Sequence, residues 1–182
     1  MRDLVVTENI TLDGVIDASE GWFDVAGEGV DQSDVVEALR EQSAAADAVV
    51  FGRQTFEDMR SYWPKQTDDT SGVTDYLNSV AKYVVSSTMD DPEWENSTVL
   101  RTLEDVGALK ETTGTDIVVT GSVTLVRGLV ASGMVDEYRL FVYPVVLGQG
   151  ARLFEDASMP VLRLVETRPF RAGIVLLRYR VT

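Results

Sequence analysis

The chain has 182 residues, with 30 acidic against 16 basic side chains, a net charge of −14, and neither histidine nor cysteine. The length suits one domain with a proper core, while the two zeros exclude disulfides, thiolate nucleophiles, iron–sulfur clusters, Cys- or His-ligated zinc and any triad or general base built on histidine. The acidity argues against a binder that tracks nucleic-acid phosphates and against adhesion to anionic membranes.

A metal would have to bind through carboxylates and carbonyls alone, and no metal site is expected. MRDLVVTENI carries a charge at position 3 and lacks an apolar h-region. No stretch approaches the roughly 20 apolar residues of a membrane span. The expectation is therefore a soluble, cytoplasmic protein forming a single domain over residues 1–182, with no nucleic-acid or membrane partner.

In chain order, Leu4 to Val6 opens a strand expected to reach about Thr11 and end in the Asp13-Gly14 turn. Glu20 to Gly29 reads as a Gly- and acid-rich loop carrying Trp22 and Phe23. Ser33 is a fair N-cap for a helix through Ala46, whose apolar stripe is Val35, Val36 and Leu39. Three units then share one design. Ala48 to Phe51 runs into Gly52-Arg53-Gln54-Thr55 and a helical pattern. Tyr83 to Val85 runs into Ser86-Ser87-Thr88. Ile117 to Val119 runs into Thr120-Gly121-Ser122 and a helix with Val123, Val126, Leu129 and Val130 on one face. Unbroken Val/Ile runs predict strands buried on both faces, as in a parallel sheet covered by helices. Between the first two units, Lys65 to Gly72 reads as an exposed loop. Glu137 to Val146, Val161 to Thr167 and Ile174 to Val181 read as strands with little helix between them, and the alternation within 176–181 predicts antiparallel pairing. The fold class is α/β, with a mixed, mostly parallel sheet, helices on both faces and antiparallel C-terminal strands.

In such sheets ligands bind in the crevice outside the carboxyl ends of the strands. Those ends carry Gly52-Arg53, Ser86-Ser87-Thr88 and Gly121-Ser122. A helix start preceded by Gly offers N–H groups and a positive dipole end to an anion, and Gly lets a phosphate approach the backbone. Two such starts, one with an Arg, suit a pyrophosphate and a further phosphate. The common fingerprints are absent: there is no G-x-x-x-x-G-K-[ST], and Gly148-Gln149-Gly150 is a turn after Pro144.

These residues resemble the dihydrofolate reductase-like superfamily, and more closely the branch containing the reductase domain of the bifunctional riboflavin-biosynthesis deaminase–reductase. The resemblance rests on ITLDGVID at 10–17, ADAVVFGRQTFEDMRSYWP at 46–64, KYVVSSTMDDPEW at 82–94, the long segment from Asp116 to Phe154 and the closing strand, in order and nearly throughout the chain. It implies a three-layer fold and an NADPH site in the crevice. Gly52, Arg53 and Thr55 match the turn that receives phosphates and touches the nicotinamide half. Ser86 and Ser87, with Thr88 beside them, match the strand end near the adenosine 2′-phosphate. Gly121, Ser122, Val123, Thr124 and Leu125 match the turn under the pyrophosphate, and Asp13 and Gly14 the loop beside the nicotinamide. Many relatives carry a base where Ser87 stands, which leaves Arg53 as the main cation, and many carry His where Tyr143 stands. Homodimerisation is also implied, and Leu140 to Leu147 is the apolar stretch on offer for it.

Hydride transfer needs orientation more than an enzyme nucleophile, because the cofactor carries the reactive atom. The candidate proton donors are Asp13, Glu57, Tyr143 and bound water. Asp13 is preferred by position, or else is a turn residue. Glu57 either faces the pocket or complements a helix start. Tyr143 either lines the pocket or packs on a partner subunit. Trp22, Phe23 and Trp63 are candidates to stack on a flat heterocycle, Phe56 reads as core, and Thr120 is expected on the substrate side. The expected function is an NADPH-dependent reductase acting on a small planar heterocycle, a carbonyl or an imine. The alternatives are a non-catalytic dinucleotide-binding module or sensor, and the riboflavin-pathway reductase itself.

Overall fold

The Val-rich runs form the middle of one eight-stranded sheet. The computed structural model describes residues 1–18, 21–22, 29–155 and 161–182. The strands are β1 (Leu4–Thr11), β2 (Ala46–Gly52), β3 (Ala81–Val85), β4 (Ser97–Leu100), β5 (Asp116–Val119), β6 (Glu137–Tyr143), β7 (Leu162–Pro169) and β8 (Val175–Val181), in the order β4-β3-β2-β5-β1-β6-β8-β7. From β4 to β6 all neighbours are parallel, while β8 and β7 pair antiparallel at one edge. Among the described residues the helices are α1 (Ser33–Ala45), α2 (Arg53–Tyr62), α3 (Val73–Ser79), α4 (Leu103–Lys110) and α5 (Val123–Ala131), with one 3-10 turn at Trp63–Lys65.

Both sheet faces are covered, which is why the strand sequences lack polar alternation. On β2, Val50 joins Leu4, Val6, Ile117, Val119 and the apolar sides of α4 and α5. Its neighbours Val49 and Phe51 point the other way, to Phe56 of α2 and Leu77 of α3. Val35 and Ala38 of α1 pack on Phe141, Tyr143, Ile174 and Leu176. The crossovers from β1 to β2 and β2 to β3 step one way along the sheet, whereas those from β4 to β5 and β5 to β6 step the other way. With right-handed crossovers, α1 to α3 therefore lie on one face and α4 and α5 on the other.

Several boundaries differ from expectation. Gln32, not Ser33, is the N-cap of α1; Ser33 is the first helical residue and gives its N–H to Asp31 Oδ1 at 2.9 Å. β6 stops at Tyr143, where Pro144 has no donor to continue the ladder. The short strand β4 and helices α3 and α4 were not foreseen, because four to eight residues without long apolar runs carry little periodic signal. Of the Leu140 to Leu147 stretch, Leu140, Phe141 and Tyr143 are buried in the core on β6, an interior strand between β1 and β8, and offer no self-complementary surface, while Val146 beyond them is exposed. Among the described residues no helix is long and apolar enough to cross a membrane.

Candidate functional site

Strands β2 and β5 are neighbours, yet the helices that follow them leave to opposite faces. The crevice opens at that divergence, as expected for a switch in crossover direction. Gly52 and Gly121 form its floor. The Gly52 N–H donates to the Gly121 carbonyl at 3.1 Å. A Cβ on Gly52 would overlap the Ser122 hydroxyl, and one on Gly121 would lie 2.9 Å from Thr55 Oγ1. Gly121 has φ +66°, in the left-handed region that a side chain disfavours. Two backbones thus meet with no space between them for a side chain.

Helix α2 starts from Gly52 and α5 from Ser122, both in extended conformation, and neither residue caps its helix with a side-chain hydrogen bond. Each helix start thus directs its N–H groups and positive dipole end to the crevice. Val123 and Leu125 pack on the core, so from the first turn of α5 they offer backbone, while the Thr124 side chain is exposed. Thr120 is half-buried at the end of β5, next to the cradle.

Arg53 joins the ends of β2 and β3. Its half-exposed guanidinium donates to Thr88 Oγ1 at 3.3 Å, and its Nε lies 3.9 Å from the Glu57 carboxylate. Glu57 is therefore the i,i+4 partner of Arg53. Ser86 is buried and builds the turn, its Oγ accepting from Thr88 N–H at 3.3 Å and Met89 N–H at 3.1 Å. Ser87 and Thr88 are exposed. Arg101, beyond the unforeseen β4, donates to the carbonyls of Ser86 and Met89 at 3.2 and 2.7 Å. It adds a second guanidinium at this edge, which strand periodicity gave no means of placing.

Asp13 is tied into the turn that follows β1. Its carboxylate accepts from Thr11 Oγ1 at 2.7 Å and from the N–H groups of Leu147 and Gly148 at 3.3 and 2.8 Å. These bonds, the Thr11 hydroxyl foremost, hold its pKa down at about 2, so it is ionised at neutral pH. It fastens the 145–153 segment to the end of β1, and Gly14, at φ +87°, returns its N–H to Thr11 O at 3.0 Å.

The aromatic candidates are also placed. Trp22 is buried, gives its indole N–H to the Asp17 carbonyl at 2.7 Å and meets buried Tyr143 edge-on, centroids 5.3 Å apart. It is core, not an open stacking platform. Trp63 packs at the far end of α2, with its indole N–H on Met59 Sδ at 3.0 Å. The ten residues of α2 separate it from the cradle by about 15 Å at the standard helical rise. Phe56 is fully buried, as its core reading expects, and Phe23 lies outside the described residues.

One acid at the crevice was missed. Glu8 of β1 accepts the Gly121 N–H on Oε1 at 2.9 Å. Its signal was a carboxylate that strand alternation places on the same face as Leu4, Val6 and Ile10.

Comparison with known proteins agrees with this geometry. Residues 2–176 match the RibD C-terminal domain. The Bacillus subtilis (strain 168) protein YyaP is 32% identical over 186 residues, covering 98% of this chain and 94% of its own. YwjB of the same organism is 29% identical, covering 96% of each. Among solved structures, a riboflavin biosynthesis protein from Shewanella sp. PV-4 superposes with TM-score 0.74 at 19% identity, covering 99% of both chains. Dihydrofolate reductase from Enterococcus faecalis, complexed with NADP(H) and RAB-propyl, superposes with TM-score 0.67 at 16% identity, covering 99% of this chain and 96% of that one. The sheet order and helix placement are thus those of a dihydrofolate reductase-like fold, and by its sequence the chain belongs to the RibD C-terminal domain family.

Proposed function

We propose that the crevice binds NADPH and that the protein is a reductase delivering hydride to a small planar heterocycle, a carbonyl or an imine. The carrying observation is the Gly52–Gly121 cradle, where two adjacent strands end in helix starts that leave no room for a side chain. A diphosphate needs that combination: close access to backbone, free N–H groups and a positive dipole end. The residues present therefore fit a dinucleotide, and the E. faecalis neighbour was crystallised with one.

In this reading Gly121, Ser122, Val123 and Thr124 hold the pyrophosphate through backbone and hydroxyl groups. Arg53, with Ser87, Thr88 and Arg101 along the same edge, meets the 2′-phosphate through charge-assisted hydrogen bonds. Thr55 supports Gly121 from beneath, and Gly14 leaves the nicotinamide side open. When bound, the cofactor supplies the hydride. In this reading the proton comes from water admitted at the crevice mouth, since the Asp13 carboxylate is tied up by Thr11, Leu147 and Gly148. The chain's own contribution is orientation and phosphate binding.

The hydrogen bonds that tie the Asp13 carboxylate to Thr11, Leu147 and Gly148 favour a second reading, a dinucleotide-binding module without turnover. Following the loss of reduced-nicotinamide absorbance with pterin, diaminopyrimidine, carbonyl and imine substrates separates the two. Steady oxidation of NADPH by one class is expected. Saturable binding with no oxidation by any class would leave the module.

A further inference from the structure

Glu8 has no part in the cofactor contacts described above. By strand alternation it shares the α5 side of β1 with Leu4, Val6 and Ile10, all core residues. The register that pairs Val6 with Val119 carries β1 past the end of β5, so Glu8 arrives level with the turn that starts α5. There its Oε1 takes the Gly121 N–H at 2.9 Å, while the Gly121 carbonyl takes the Gly52 N–H at 3.1 Å. Gly121 is held from β1 through its donor and from β2 through its acceptor, one residue before the N-cap of α5.

We propose that Glu8 is a positioning residue for the cofactor turn, fixing Gly121 so that the uncapped start of α5 receives an anionic phosphate. This rests on the NADPH reading above. Ionised Glu8 would place a negative charge beside the helix start and oppose the phosphate's charge. The geometry is matched by its titration: dense packing around the carboxyl raises its pKa from the ordinary 4.5 to about 8, against the smaller opposing effect of the Gly121 bond.

The charged and ionisable groups on the surrounding elements are otherwise engaged. Tyr138 on β6 is pushed up to about 12 by burial and stays neutral. Arg127 on α5 donates to the Arg152 carbonyl and pairs with Glu155. Arg53 and Glu57 on α2 face each other, and Asp116 at the far end of β5 is held by Arg139. Asp13 is fastened to the 147–148 turn, with Arg152 3.9 Å away. None of them contributes to the shift at Glu8, which leaves Glu8 as the group that titrates beside the turn.

Two measurements test this. The first is amide exchange at Gly121 in cofactor-free protein, which does not depend on NADPH. The near-isosteric Glu8→Gln keeps an acceptor oxygen and is expected to protect Gly121 as the wild type does, whereas Glu8→Ala exchanges at least roughly tenfold faster. Equal protection in Glu8→Ala would overturn the positioning role. The second is NADPH titration at about pH 7 and about pH 9.5, a range in which the cofactor's own phosphates keep their charge. Wild type is expected to weaken roughly tenfold or more across that range and Glu8→Gln to stay level. A flat wild type, or the same loss in both proteins, would overturn the inference. If neither protein binds NADPH at about pH 7, the cofactor reading falls and the pH-linked part falls with it, while the exchange result still decides whether Glu8 holds the turn.

Discussion

Arg53 carries most of the discrimination expected between cofactors. Its guanidinium is half exposed and only loosely engaged, at 3.3 Å from Thr88 Oγ1 and 3.9 Å from Glu57. It can therefore turn to a phosphate without breaking a strong bond. Arg53→Ala is expected to weaken NADPH about tenfold while leaving NADH nearly unchanged, because a charge-assisted bond is lost only where the 2′-phosphate exists. Equal loss for both cofactors, measured by calorimetric titration, would move Arg53 to the pyrophosphate. At this scale the sequence was most informative where chemistry is local. The Gly, Ser and Arg residues at strand ends could be found because strand ends sit beside them in the chain. The bonds that hold Asp13 could not be read in the sequence because they reach Leu147 and Gly148, over 130 positions away. Glu8 was missed for the same reason, since its partner is Gly121.

Between elements, two contacts set the geometry of the crevice and of the sheet. The first is the Gly52–Gly121 approach. Gly52→Ala must push Ser122 away, so a loss of about 1–3 kcal/mol in stability is expected, the usual range for overpacking. Denaturant unfolding measures that loss, and NADPH affinity is expected to fall with it because the two helix starts separate. The second is the ionic knot between β6 and β8. Buried Glu137 accepts from Arg139 Nε at 2.6 Å and Arg178 Nη2 at 2.9 Å, with Arg180 3.7 Å away. Glu137→Ala would remove the anion these three arginines share while each keeps a second carboxylate, Asp116, Glu166 or Asp3, so a cost of roughly 1–3 kcal/mol is expected in a denaturation experiment. Unchanged stability would show the knot to be well solvated. The continuous Val runs of β2 and β5 revealed their burial on both faces, whereas the four residues of β4 did not stand out, and with β4 went the placement of Arg101.

For the molecule as a whole, titration shapes stability on both sides of the mildly acidic range. Asp13 and Asp69 have folded pKa values held below the ordinary 3.8 by hydrogen bonds, so their contribution is present above about pH 4 and fades as pH falls. Glu8 acts in the opposite sense. Its folded pKa is raised, the folded state holds the proton more tightly, and its contribution is full below about 4.5 and lost as pH rises to about 8. Thermal melts of the ligand-free protein are expected to show this decline toward pH 8, and Glu8→Gln to lessen it. The same molecule carries a net charge of −14, so an anionic cofactor can be held only where cations and helix starts outweigh the surrounding field. The strand ends from β4 to β5 gather Arg53, Arg101 and two uncapped helix starts along one edge of an otherwise acidic protein.

The most direct test is an NADPH titration of the wild type and Gly52→Ala side by side at neutral pH, followed by nicotinamide fluorescence. Saturable micromolar-range binding by the wild type, weakened at least about tenfold in a Gly52→Ala protein that remains folded, is the predicted result. No binding by the wild type up to millimolar cofactor, or equal binding by both proteins, would contradict a dinucleotide site at the Gly52–Gly121 cradle.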